Sequence, residues 1–181
     1  VSGGDTINYE YDAVGNRKKK YVDDTLKETY NYNIRNELET KTEFPSDVIT
    51  TYGYDHNGNV ISKSVADGDT TNYLWDTKNR LTGVSLNTSD PFFTAQYDYR
   101  CRRVSKTNNS ETTNFRYDGG VSVQETDRSS GSELISVEYV RIKGLGGGIG
   151  GVLYAYRNEE EEYFGYNNVG HTVVLMTSAG E

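Results

Sequence analysis

Several groups of residues in this chain have types and spacings that invite a chemical reading. Gly146-x-Gly148-x-x-Gly151 has the form of a dinucleotide fingerprint, in which amides at a helix N-terminus hold a pyrophosphate. That arrangement needs a helix after the glycines. Val152-Leu-Tyr-Ala-Tyr156 is a strand pattern instead, so the run reads as a bend or bulge. Asp55-x-Asn57-x-Asn59 opens like a calcium loop, but the bidentate Glu due at its twelfth position is Ala66. His56 and His171 stand 115 residues apart, each in a turn pattern, and make no persuasive metal site or base. Neither Cys101 nor any Ser sits in a nucleophile motif, and no carboxylate pair has an apolar setting that would raise a pKa. The expectation is a chain without catalytic residues, cofactor or metal.

The polar residues fit a turn better than a reactive site. Asp55-His-Asn-Gly58 has Asp first and Gly fourth, as a type I turn prefers. Asp accepts bonds from amides two residues on, and Gly takes the positive φ that closes such a hairpin. Asn36 and Asn79 replace Gly in two other copies, and Asn is the next best residue for that backbone region. Cys101 stands at the same place, which predicts a distorted or wider turn there.

Before each turn stands an aromatic pair. Tyr52 and Tyr54 are two residues apart, which puts both on one face of a β-strand. The pattern recurs as Tyr9, Tyr11, Asp12 and Gly15; as Tyr30, Tyr32 and Asn33; and as Tyr73, Trp75, Asp76 and Asn79. It continues with Tyr97 and Asp98, with Tyr117 and Asp118, with a blurred copy at Tyr139, and with Tyr166, Asn167 and Gly170. Taking the second aromatic as marker, positions 11, 32, 54, 75, 97, 117, 139 and 166 are separated by 21, 22, 21, 22, 20, 22 and 27 residues. Such a period is the mark of a repeat architecture.

Each unit is therefore expected to be strand, tight turn, strand and looser polar loop. The predicted class is all-β: tandem β-hairpin repeats of about 21 residues in a long, curved, spiralling antiparallel sheet. Seven or eight hairpins supply 14 to 16 strands, and open twisted sheets rarely pass about 10 without curling. Residues 1–181 are read as one array belonging to something longer, because neither end looks like a polar cap.

Composition narrows the partners. The formal charge of −8 argues against nucleic acid, and no apolar run is long enough to insert in a membrane. Hydrophobic content of 34% is low, but 16 Tyr supply burial area while leaving their hydroxyls wet. Arg17-Lys18-Lys19-Lys20 is expected to be a solvated edge strand, and Glu159–Glu162 a solvated hairpin tip. A single Cys forms no intrachain disulfide.

Tyr-x-Tyr-Asp-x-x-Gly-Asn/Arg at this period resembles the RHS or YD-repeat family over nearly the whole chain. Tyr9 to Arg17 and Tyr52 to Val60 match it fully, and Trp75-Asp76 through Asn79-Arg80-Leu81 matches a variant. Tyr139 to Gly151 and Phe164 to Glu181 resemble the end of such an array, just upstream of the family's core domain. The resemblance implies a bacterial, secreted or surface protein whose β-sheet shell encloses or presents a C-terminal toxin or effector domain. Its partners would be flanking repeats and that domain. The family's self-cleavage motif is not matched: Asp90-Pro91 runs on into Phe92-Phe93 in a loop between repeats. The alternative is a surface module that binds carbohydrate through rows of Tyr and Trp75.

Overall fold

The computed structural model describes residues 4–127, 134–142, 151–157, 160–166 and 172–177. Among them the chain is all-β, with sixteen strands and no helix. They are β1 (Ile7–Tyr11), β2 (Arg17–Val22), β3 (Thr25–Tyr32), β4 (Leu38–Glu43), β5 (Val48–Tyr54), β6 (Val60–Val65), β7 (Thr70–Trp75) and β8 (Leu81–Leu86). The others are β9 (Phe93–Tyr97), β10 (Arg103–Asn108), β11 (Glu111–Asp118), β12 (Val121–Asp127), β13 (Leu134–Ile142), β14 (Gly151–Arg157), β15 (Glu160–Tyr166) and β16 (Thr172–Thr177). The chain divides into two compact units, Val1–Phe92 and Phe93–Glu181. Within each, strands consecutive in sequence pair antiparallel, giving a meander of hairpins.

The connection from β2 to β3 is tighter than the looser polar loop expected there. Asp23 and Asp24 alone join β2 to β3, with φ of 47° and 59°. Positive φ at both central residues is the type I′ turn, whose twist matches that of the strands. Asp tolerates this region because its short side chain finds local partners. Here the Asp23 carboxylate accepts from the Thr6 amide at 3.0 Å.

Each aromatic-to-turn hairpin carries a bulge that the period does not announce. Register shifts fall between Glu10 and Tyr11, Asn31 and Tyr32, Gly53 and Tyr54, Leu74 and Trp75, and Arg116 and Tyr117. In the β5–β6 hairpin Gly53 faces Ser62 while Tyr54 faces Val60, leaving Ile61 as the extra residue on the returning strand. Bulges bend a strand and raise its local twist. In β13–β14 the shift lies between Val140 and Arg141. The second-aromatic slot of the blurred repeat is therefore Arg141, not Tyr139. Markers 117, 141 and 166 then stand 24 and 25 residues apart, which removes the irregular long step.

Cross-strand partners share a face. One such row is Tyr30, Lys41, Thr50 and Val65 across β3 to β6. Tyr9 and Tyr11 lie side by side as the two-residue spacing requires, with ring centroids 6.3 Å apart. Buried apolar residues among the described ones are few, namely Tyr30, Val84, Ala95, Val137 and Ala155. Stability has to come mainly from strand-to-strand contacts rather than from a deep core.

The basic run departs from expectation. β2 is paired on both sides, to β1 and β3, and is no edge. Lys19 meets Glu10 at 3.0 Å and Lys20 meets Glu28 at 3.2 Å, while the Arg17 guanidinium lies 4.4 Å from the Tyr9 ring centroid. Lys41 extends this cluster, 2.6 Å from Glu43 and 3.9 Å from Glu28. Burial pushes the Glu28 carboxyl up, but bonds from Tyr30 and Lys20 and the Lys41 charge outweigh it and hold it low. Of the acidic run, Glu160, Glu161 and Glu162 lie in β15 opposite Arg157, Tyr156 and Ala155 rather than at a tip, while Glu159 lies outside the described residues.

Candidate functional site

Among the described residues the repeated motif builds one turn five times. Asp12, Asn33, Asp55, Asp76 and Asp98 each head it, and each side-chain Oδ1 accepts from the backbone amides two and four residues on, at 2.8–3.1 Å. The head residue's amide donates to the carbonyl four residues on, at 2.9–3.0 Å. The fourth residue adopts positive φ: Gly15 at 94°, Asn36 at 66°, Gly58 at 84°, Asn79 at 57° and Cys101 at 63°.

The fifth residue, the Asn/Arg that ends the sequence motif but whose role the sequence did not state, closes the turn from outside. Asn16 and Asn59 donate to the head carboxylate, and Arg80 and Arg102 form ion pairs with it at 2.5 and 2.6 Å. At Asn33 the polarity is reversed: its amide donates to the Glu37 carboxylate at 2.7 Å. A head and a fifth residue able to bond each other is the signal that could have revealed this.

Neighbouring turns are bridged as well. Asn16 donates to Asn36, Asn57 and Asn59 donate to the Asn79 carbonyl oxygen at 3.0 and 2.9 Å, and Arg102 donates to the Gly119 carbonyl.

A second device sits at the bulges. The residue before each extra residue has a carbonyl that the ladder to the next hairpin does not reach. Tyr54 donates its hydroxyl to Leu38 O at 2.8 Å, Trp75 its indole N–H to Val60 O at 2.8 Å, and Tyr117 its hydroxyl to Arg103 O at 2.7 Å. Arg141 repeats the act with its Nε on Ser122 O at 2.8 Å, consistent with its place in the aromatic slot. At these four places the residue in the second-aromatic slot thus closes the bulge of the preceding hairpin. An unpaired carbonyl in a half-buried setting is expensive, so this contact holds hairpins together beyond ring packing. Tyr139, in the first slot, bonds Glu125 instead, and burial followed by that bond pushes its hydroxyl up to about 12.

Tyr9, Tyr11, Tyr30, Tyr32, Tyr52, Tyr54, Tyr73, Trp75, Tyr97 and Tyr117 all lie in the strands that run into turns. Asp118 departs from the motif: it ends β11 opposite Val121, with only Gly119 and Gly120 between, and the capped turn is not built. Tyr166 occupies its predicted slot opposite Thr172, while Asn167, Gly170, His171 and the run 143–150 lie outside the described residues. Asp55 is engaged on both carboxylate oxygens by its own turn, which accounts for its calcium-like spacing without an ion. No group of three His, Cys, Asp or Glu suited to a metal occurs among the described residues.

The Cys101 turn is not distorted. Asp98 bonds the amides of Arg100 and Arg102, and Cys101 takes φ of 63°, so the capping bonds override its side-chain preference. Cys101→Gly is expected to leave the urea midpoint unchanged or raised, since strain of about 1 kcal/mol is relieved against a similar entropic loss. A clear drop would show that the thiol has a packing role.

The head carboxyls titrate low. At Asp55 the Asn59 amide is the main cause, and at Asp76 the Arg80 bond. At Asp12 and Asp98 burial pushes upward but is outweighed by bonds from Asn16 and Arg102. Because these values lie below the unfolded one, their stabilisation is complete above about pH 4 and fades as pH falls through the folded values. Urea midpoints taken from pH 6 to pH 2 should fall steeply only in that acid window, and Asp76→Asn should flatten the fall. An identical profile in the variant would contradict the assignment.

No family model matches the sequence, and no curated protein does. Solved structures do match. The crystal structure titled TcdB2-TccC3-Cdc42 aligns with 97% of this chain at a TM-score of 0.59 and 12% identity. That titled TcdB2-TccC3-TEV aligns with 95% at 0.57 and 9%. The fold is shared with a part of these toxin-complex chains. In both, the alignment covers 12% of the larger chain, so this chain spans about an eighth of their length. The likeness at such identity concerns the fold.

Proposed function

We propose that residues 1–181 form one continuous stretch of RHS/YD-type repeats with a mechanical, non-catalytic role. It is a segment of a curved β-sheet shell, in a secreted or surface-exposed bacterial protein, that encloses or presents a C-terminal toxin or effector domain. One observation carries this reading: the motif residues bond to the neighbouring turn or hairpin, as Tyr54 does to Leu38 and Asn59 to Asn79. The shared fold with TcdB2-TccC3 chains supports the same view.

The carbohydrate alternative is weaker, because the Trp75 and Tyr54 rings that would stack on a sugar are half-buried against neighbouring hairpins, and Asp55, Asn59 and Asn79, which would bond its hydroxyls, bond one another. The test is intact mass and a denaturing gel on the protein as its native cells make it. A C-terminal piece that copurifies until denaturation is expected. An intact chain held at a wall or membrane anchor would overturn the shell in favour of adhesion.

A further inference from the structure

Asp118 stands in the head position of its repeat, but no cap forms around it. Asp12, Asp55, Asp76 and Asp98 each hold their carboxylate against the amide and side chain of their own fifth residue. Asp118 has no such residue to meet, since only Gly119 and Gly120 separate it from its strand partner Val121. Asp118, Gly119 and Gly120 are all exposed, and no donor among the described residues reaches the Asp118 carboxylate. In a two-residue hairpin loop the ladder bonds belong to the flanking pair, which leaves the Gly119 N–H to solvent. An unengaged glycine amide therefore follows directly on an unengaged carboxyl.

That juxtaposition is reactive. The amide nitrogen after an Asp or Asn can attack the side-chain Cγ and close a five-membered succinimide, a covalent change of the backbone. Glycine is the best following residue because it places no Cβ in the way. The chain has three such pairs: Asn57-Gly58, Asp67-Gly68 and Asp118-Gly119. On chemistry alone Asn57 is the fastest, since an amide loses ammonia more readily than a carboxylate loses water. The fold acts against that order. The Gly58 N–H donates to Asp55 O at 3.2 Å, and the Asn57 side chain donates to Asn79 at 3.0 Å. The Gly68 N–H donates to Val65 O at 3.0 Å. A group that is donating must leave its bond before it reacts, which slows the attack about five- to tenfold for each bond. Asn57 carries two such bonds, Asp67-Gly68 one, and Asp118-Gly119 none among the described residues.

We propose that Asp118 is a site of covalent self-modification, isomerising to isoaspartate ahead of any reaction at Asn57 or Asp67. The Gly119 nitrogen bonds to Asp118 Cγ and gives up its proton, while a carboxyl C–O bond breaks and water leaves. Water then opens the ring. Attack at Cγ returns aspartate, and attack at the main-chain carbonyl carbon of Asp118 gives isoaspartate, so the overall change consumes nothing. Isoaspartate routes the main chain through Cβ and adds a methylene to a loop of two residues. The Asp118–Val121 pair and the bridge from Arg102 to the Gly119 carbonyl are then lost. The product also carries a free α-carboxylate, the group that an isoaspartyl methyltransferase esterifies. This inference rests on the turn geometry and is independent of the shell reading.

Peptide mapping of the full chain, aged in neutral buffer at body temperature, tests it. The peptide that contains Asp118 should gain a form of unchanged mass and shifted elution, which an isoaspartyl methyltransferase labels. Asn57 should keep its amide and Asp67 its normal linkage over the same period. In urea the order should invert, with Asn57 reacting first. Gly119→Ala, whose added Cβ meets nothing within 4 Å, should lose most of the label at Asp118. Asn79→Gly accepts the φ of 57° and removes the partner of the Asn57 side chain, so Asn57 should deamidate about five- to tenfold faster. Circular dichroism melts like those of the parent establish that the variants fold. Asn57 reacting ahead of Asp118 in the native chain, a native Asp118 without label, a Gly119→Ala variant labelled like the parent, or an Asn57 rate unmoved by Asn79→Gly would overturn the proposal.

Discussion

Tyr54→Ala is expected to destabilise the first unit by about 2–3 kcal/mol, and Tyr54→Phe by about 1–2 kcal/mol. Two separate losses make up the larger figure. Truncation removes a half-buried ring, and a partly exposed aromatic loses less than the 3–5 kcal/mol of a fully enclosed one. It also strands the Leu38 carbonyl, which the β4–β5 ladder does not reach because pairing begins at Thr40 and Thr51. Phenylalanine keeps the ring and removes only the hydroxyl, so its penalty isolates the bulge closure. Urea unfolding of parent and both variants measures the pair. If Tyr54→Phe melts like the parent, water serves the carbonyl equally well and the closing bond contributes nothing. Trp75→Phe, which loses the bond to Val60, gives the same comparison one hairpin on.

The sequence made the strands and turns legible because both are local. Tyr52 and Tyr54 share a face through the two-residue period of a strand, and Asp55 with Gly58 is a complete turn in four residues. What escaped notice involves residues from different hairpins. No local feature of Leu38, Val60 or Arg103 says that its carbonyl will lie beyond the ladder, and only the bulge reveals it. The same bulge moved the marker of the blurred repeat from Tyr139 to Arg141, a substitution that keeps the donor and discards the ring. The basic run was misjudged for a related reason. Its partners Glu10 and Glu28 sit on adjacent strands, where a one-dimensional count sees only four like charges. Cys101 taught the opposite lesson, because its turn is fixed by Asp98 and tolerates an unfavourable fourth residue.

That tolerance sets the terms for Gly58→Val, where a loss of about 2–3 kcal/mol is expected, against less than about 1 kcal/mol for Gly58→Asn. The φ of 84° at Gly58 lies in the left-handed region, where Asn36 and Asn79 already stand at 66° and 57° in equivalent turns. Asn therefore has two precedents in this chain. Valine has none, since a branched Cβ crowds the backbone there. Space is not the obstacle, because an added Cβ would meet only the Glu37 carboxylate at 3.5 Å, an ordinary contact. The penalty is conformational, and its consequence extends beyond one hairpin. The Gly58 amide donates to Asp55 O, and flattening the turn would pull Asn57 and Asn59 from Asn79, breaking the bridge to the following turn. Hydrogen exchange should accordingly quicken in both the β5–β6 and β7–β8 hairpins of Gly58→Val. Faster exchange confined to β5–β6 would show that the bridges between turns transmit nothing and that each hairpin stands on its own bonds.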